Sequence, residues 1–223
     1  MNEMEWLTCV DPGPMINSPL SQKSDRKLHL FACACCRKFW DALSGWQAAV
    51  IVAERFADSL ATLEELEEAG LPPSHEAPTG LDYLLDPDAI NAAYGVANGL
   101  ATWAELQEQQ RIRSERRADY GPEEVRAAGE RAGQAVRREQ ADLLRDIVGN
   151  PFRPVNPDPV WLTPKAVRLA QTIYDDRAFD RMSVLADALE EAGCTNPDIL
   201  AHCRSEGEHA RGCWVVDALR GKE

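Results

Sequence analysis

Four prolines fall within the eleven residues from Gly149 to Pro159, and no helix can run through them. Proline fixes φ and lacks a backbone donor, so placing it inside a helix costs about 3 kcal/mol. The chain is therefore divided into two runs by an extended strap. On both sides apolar residues recur at three- and four-residue spacings, and no stretch shows the strict alternation of a half-buried strand. The predicted class is all-α, a helical bundle.

Ser24 opens a helix reaching about Ser44, with Leu28, Phe31, Ala32, Cys35, Phe39 and Leu43 on one face. Trp46 to Leu60 reads as a second helix. Thr62 with Glu65 forms a capping box for a short third, which Gly70 stops before Pro72-Pro73, and residues 71–80 read as a loop. Asp86-Pro87-Asp88 caps a long alanine-rich helix that Tyr120-Gly121-Pro122 breaks, and a second long helix runs from Pro122 to about Val148. Together they predict an antiparallel hairpin over about 88–148. Beyond the strap, Thr163-Pro164, Ala178 to Asp180, Asn196-Pro197 and Cys213 mark the starts of short helices. The expected organisation is a helical domain at 1–148, a Pro-rich strap at 149–161 and a C-terminal group of short helices at 162–223, packed on the first as one unit. Phe152, Val155 and Trp161 are apolar enough to hold the strap against the helices.

Charge narrows the partners. The net charge is -13, and between Glu54 and Asp88 ten acids face the single base Arg55, so that block carries -9 of it. Such a surface repels polyanions, because affinity for nucleic acid comes from Lys and Arg displacing phosphate counterions. DNA is not an expected partner. Arg111, Arg113, Arg116 and Arg117 form a basic cluster, but Glu108, Glu115 and Asp119 interleave with it, as on a solvated, ion-paired helix face. Membrane association is not expected either: the longest uncharged stretch, residues 89–104, is interrupted by Asn91, Gly95, Asn98 and Gly99, and the acidic amino terminus is unlike a secretion signal. Seven cysteines, odd in number and with Cys35-Cys36 adjacent, suit reduced thiols in a cytoplasm better than a disulfide framework.

Several runs carry a resemblance. Glu5-Trp6 with Cys9, the stretch Ser24-Asp25-Arg26-Lys27-Leu28 leading to Cys35-Cys36-Arg37, Gly149 to Val155, Leu185 to Cys194, and Arg211-Gly212-Cys213-Trp214-Val215-Val216-Asp217 together resemble a paralogue-rich bacterial family of uncharacterised function. The resemblance implies a helical fold and a cytoplasmic setting, and it transfers no site residue.

One constellation could carry chemistry. On the first long helix, about 100° per residue places His29, Cys33 and Cys36 on one flank. His209 and Cys213, again four apart, could complete a zinc site if the carboxyl-terminal segment returns to that helix, since imidazole and thiolate are preferred zinc ligands. An enzymatic version would use Cys36 or Cys213 as nucleophile, His209 or His29 as base and Asp217 to orient the imidazole, with Cys213 activated by the start of the last helix. The alternative is that these thiols simply pack as small apolar residues. No nucleotide loop and no converging carboxylate pair is present. The leading expectation is a non-enzymatic cytoplasmic interaction or scaffold module whose protein partner is basic where it meets the acidic stretch. The second is a zinc-binding or thiol-dependent protein using His29, Cys33, Cys36, His209 and Cys213. No cofactor is required, zinc is the one the pattern would accept, and the oligomeric state is left open.

Overall fold

The computed structural model describes residues 1–18, 24–70, 78–115 and 120–222. Their regular structure is helical, with no strand among the described residues. The helices are α1 (Glu3–Thr8), α2 (Pro12–Ile16), α3 (Asp25–Arg37), α4 (Gln47–Ala57), α5 (Leu63–Glu68), α6 (Ala89–Ser114), α7 (Pro122–Val148), α8 (Pro164–Asp176), α9 (Met182–Glu191), α10 (Pro197–Cys203) and α11 (Trp214–Arg220). Among the described residues none is long and apolar enough to cross a membrane.

The expected punctuation forms. Ser24 accepts the Lys27 N–H at the head of α3, the Thr62–Glu65 capping box starts α5, Asp88 accepts the Ile90 and Asn91 N–H groups at the head of α6, and Thr163 caps α8. Two boundaries move inward. The first long helix stops at Arg37 and continues as turns to Trp46, and its successor ends at Ala57. Helices α1 and α2 were not anticipated. Each begins with a readable cap, the Asn2–Glu5 box and Asp11 ahead of Pro12, but each is too short to show a period.

Helices α6 and α7 pair antiparallel as predicted. The Gln140 side chain donates to the Ala97 carbonyl, Arg137 pairs with Glu105, and Ile112 meets Val125 and Ala128 near the tip. Gly133 permits the close approach, because a Cβ there would meet the Glu105 side chain at 2.2 Å. The arginine cluster behaves as a solvated face, with Arg111 bonded to Glu108 and Glu115; Arg116 and Arg117 lie outside the described residues.

Two apolar cores result. The first gathers Trp6, Phe31, Leu100, Leu144 and Ile147 with the buried faces of α3, α4 and α6. The second gathers Ile173, Leu185, Leu189, Ile199 and Val216 from α8 to α11. The strap serves both: Phe152 packs on the first, Val155 and Trp161 on the second.

The groups linking these cores are polar and buried. Asp217 of α11 accepts from Lys27 and Arg26 of α3 and from Arg220, while Arg26 and Tyr174 both bond Asp58. Glu54 of α4 receives Arg37, Arg177 and Arg211. This corrects the picture of a continuous acidic face over residues 54–88. Glu54 is buried and Asp58 nearly so, so the block loses two of its charges to internal ion pairs; Glu76 lies outside the described residues. The exposed remainder is centred on α5, with Glu64, Glu65, Glu67 and Glu68.

Candidate metal centre

A third buried group lies along the same seam. Asp146 stands in the last turn of α7, where the 3.6-residue repeat turns it inward beside Leu143, Leu144 and Ile147. Asn196 caps α10 and so sets the short helix whose last turn carries His202. The chain then returns through residues 204–212 to Cys213, the residue at the head of α11. Gly212 makes that return possible: its φ of 93° lies in the left-handed region, and a Cβ there would press on Leu30 at 3.1 Å. His209 sits within the returning loop.

Asp146, His202, His209 and Cys213 each offer one ligand atom, and the four atoms lie within 4.8 Å of one another. Asp146 Oδ1 is 2.6 Å from His209 Nδ1 and 3.2 Å from His202 Nε2. The same His202 nitrogen is 3.1 Å from Cys213 Sγ. The other Asp146 oxygen accepts the Ala210 N–H at 2.9 Å, which fixes the carboxylate's orientation. His202 also leans on the Trp214 ring, with centroids 5.0 Å apart.

Charge follows the same geometry. Burial works against ionising Asp146, but the hydrogen bonds from His202 and His209 outweigh it and hold the carboxyl below its ordinary range. Burial pushes the Cys213 thiol well above its ordinary value, and the neighbouring Asp146 charge adds to this; the N–H groups of Val216 and Val215 at the helix head oppose it and lose. The expected activation of Cys213 by the start of α11 is thus overturned.

The contact pattern separates metal binding from nucleophilic catalysis. In a catalytic triad the nucleophile meets one imidazole nitrogen and the acid meets the other. Here Cys213 and Asp146 both reach Nε2 of His202, so three donor atoms converge on one point. The Asp217 proposed to orient the base is elsewhere, engaged with Lys27 and Arg26. Two imidazoles, a thiol and a carboxylate are all within zinc's ligand repertoire, and bonds of about 2.0–2.3 Å set tetrahedral edges of roughly 3.3–3.7 Å. To reach that figure the 2.6 Å separation would open by about 0.7 Å or more, the 3.1 and 3.2 Å separations would open by less, and the wider ones, up to 4.8 Å, would close by about 1 Å.

Of the five ligands expected from the sequence, the structure brings together His209 and Cys213 and leaves His29, Cys33 and Cys36 apart from them. Those three belong to the first core. His29 packs edge-on against Phe56 with centroids 5.3 Å apart, and burial lowers its basicity. Cys33 Sγ lies 4.0 Å from the Val50 carbonyl, and burial raises both Cys33 and Cys36 thiols far above their ordinary range. The flank they share faces α4 and the core. Asp146 and His202 take their places. The signal for them was present as the spacing of His202, His209 and Cys213, three zinc-type donors within twelve residues, and as an acid embedded in the apolar stripe of α7.

Comparison with protein-family models, with curated proteins and with solved structures finds no match.

Proposed function

We propose that this chain is a zinc-binding protein, in which one Zn²⁺ held by Asp146, His202, His209 and Cys213 joins the end of α7 to the segment between α10 and α11. The observation that carries this reading is the meeting of Cys213 Sγ and Asp146 Oδ1 at a single nitrogen of His202. Four protein donors complete a tetrahedron and leave no position for substrate, which is the pattern of structural zinc. The thiolate favours zinc over magnesium or calcium, which take oxygen ligands. All seven cysteines are free, so a reducing compartment such as a cytoplasm would keep Cys213 competent as a ligand.

Lys27 supports this role from the other side. Its ammonium group donates to the carbonyls of Ile147 and Gly212, at 3.0 and 2.6 Å, and to Asp217. Those carbonyls belong to the residues next to Asp146 and Cys213, so one buried cation fixes two of the backbone segments that carry ligands. Outer contacts of this kind orient metal ligands and tune affinity.

Elemental analysis of protein purified without an affinity tag tests the assignment. One zinc per chain is expected, and Co²⁺ replacement should give the absorption of tetrahedral cobalt with a thiolate charge-transfer band. Protein free of metal that also fails to take up Co²⁺ would overturn it.

A second reading, interaction with a basic protein partner, is favoured by α5, where Leu60 and Leu63 are exposed beside Glu64, Glu65, Glu67 and Glu68. Cross-linking in cells should place partner cross-links around α5, and cross-links spread evenly over the surface would count against it.

A further inference from the structure

We propose that the cavity beside Glu54 is a binding site for a small oxyanion of the phosphate class. The cavity measures about 170 Å³ and is lined by Arg37, Arg177, Arg211, Glu54, Glu208 and His209 among others. Three guanidinium groups converge there on one carboxylate. Glu54 accepts from Arg37 Nε and Nη2 at 3.0 and 2.9 Å and from Arg177, and Arg211 Nη1 approaches at 3.5 Å. Glu208 does not balance them, since it is largely exposed and pairs with Lys38. The group thus carries excess positive charge at a partly exposed cavity; Arg211 also donates to the Tyr174 and Asp175 carbonyls, which fixes its guanidinium, and fixed guanidinium groups are well matched to phosphate oxygens.

Arg177 shows the strain of this arrangement. Burial lowers the basicity of Arg177, with repulsion from Arg211 and Arg37 adding to it and attraction to Glu54 opposing it. Among the described residues Arg177 bonds through Nη2 alone. It also occupies the left-handed region at the end of α8, with φ of 54°, a position where glycine is the usual residue.

A second observation points to the same ligand. His209 is among the residues that line the cavity, and its buried Nε2 has no hydrogen-bond partner. With zinc on Nδ1 the ring proton sits on Nε2, a donor that requires an acceptor. An oxyanion on the arginines would supply it. This contribution rests on the zinc reading, whereas the arginine cluster does not.

Calorimetric titration with inorganic phosphate, on zinc-loaded and on chelator-treated protein, tests the proposal. Wild type should bind one phosphate saturably in both forms, several-fold more tightly with zinc. Arg177→Gly, which suits the backbone at that position, and Arg211→Gln should each weaken binding at least tenfold. Glycerol phosphate, titrated alongside, shows whether the site takes a phosphomonoester as well as the free ion, and either pattern supports a phosphate-class ligand. Absence of saturable binding in both forms overturns the proposal, as does binding unchanged in a correctly folded Arg177→Gly protein. Should the protein prove free of zinc yet bind phosphate through these arginines, the metal assignment falls and the anion site stands.

Discussion

The two groups of histidine and cysteine in this molecule look alike in sequence and are opposite in environment. On α3, His29, Cys33 and Cys36 share one helical flank, and that flank is buried against α4 and the first core, with Phe56 and Val50 as neighbours. At the seam, Asp146, His202, His209 and Cys213 come from the end of one helix, the end of another and a returning loop, and their donor atoms converge. A common face on one helix sets the direction of side chains but does not supply a fourth ligand or the polar neighbours that hold donors in place. Convergence needs separate elements. The core cysteines thus pack as apolar residues, whereas the seam cluster brings together donor atoms that could hold a metal.

The comparison is broken most directly by exchanging one thiol in each region. Cys213→Ser should lower zinc affinity by more than about 100-fold, since loss of a direct ligand exceeds the 10–100-fold cost of losing an outer contact. Cys36→Ser should leave it unchanged. Competition against a chromogenic zinc chelator reads both, and equal loss in the two variants would mean that the α3 thiols share the metal after all.

How much of this was legible depended on whether the information was local. Caps at Ser24, Thr62, Asp88 and Thr163, the break at Pro122 and the strap at Gly149 to Pro159 act within a few residues, and each forms as read. The hairpin of α6 and α7 follows from the length and small residues of its two helices. The seam does not. Asp146 stands out only as an acid within an apolar stripe, and none of Glu54, Asp146 and Asp217 shows its partner until tertiary contacts supply Arg37, His209 or Lys27, residues at least 17 positions away. His209 and Cys213 do fall in one donor cluster, but the sequence offered several possible partners for them and no rule for choosing among them.

The seam also differs from the apolar cores in what a single isosteric change does. Asp217→Asn removes the charge that Lys27 and Arg26 share, leaving Lys27 with the Ile147 and Gly212 carbonyls and Arg26 with Asp58. Burial disfavours that carboxylate's charge, but Lys27 and Arg26 outweigh it and keep its pKa below the usual carboxylate range. Breaking a buried pair from one side costs about 3–5 kcal/mol. For a chain of this size each kcal/mol is worth roughly 2–4 °C in Tm, so thermal unfolding should move down by about 10 °C. Because Lys27 also holds the Ile147 and Gly212 carbonyls, zinc affinity should fall with it. A variant with unchanged Tm would show that the seam contributes little to holding the two cores together.

Packing predicts a smaller loss in the first core. Cys33→Ala and Cys36→Ala each remove one buried sulfur from a site that is otherwise apolar, for a cost near 1 kcal/mol by denaturant unfolding, with metal content unaltered. The same burial predicts that neither thiol reacts with an alkylating reagent in the native state. Fast labelling of Cys36 would place it on an accessible surface and contradict the packing that distinguishes it from Cys213.

Acid separates the two regions by the pH at which each loses stability. His29 is less basic when folded than its ordinary 6.5, chiefly through burial, so the unfolded chain binds its proton first. Its contribution is complete above about pH 6.5 and declines as the pH falls from there towards the folded value. Asp146 and Asp217 are more acidic when folded than their ordinary 3.8, so their contribution is complete above that value and is lost as the pH falls through their lower folded values. In metal-free protein, His29→Gln should therefore remove a shallow step below pH 6.5, and Asp146→Asn should act on the step below pH 4. Zinc adds a third dependence. Cys213 is protonated at neutral pH in the metal-free chain and must release that proton to bind, so affinity should rise about tenfold per pH unit for that one proton. Calorimetry in buffers of different ionisation enthalpy counts the proton directly. A pH-independent zinc affinity would remove Cys213 from the ligand set and leave a cluster of two histidines and one carboxylate.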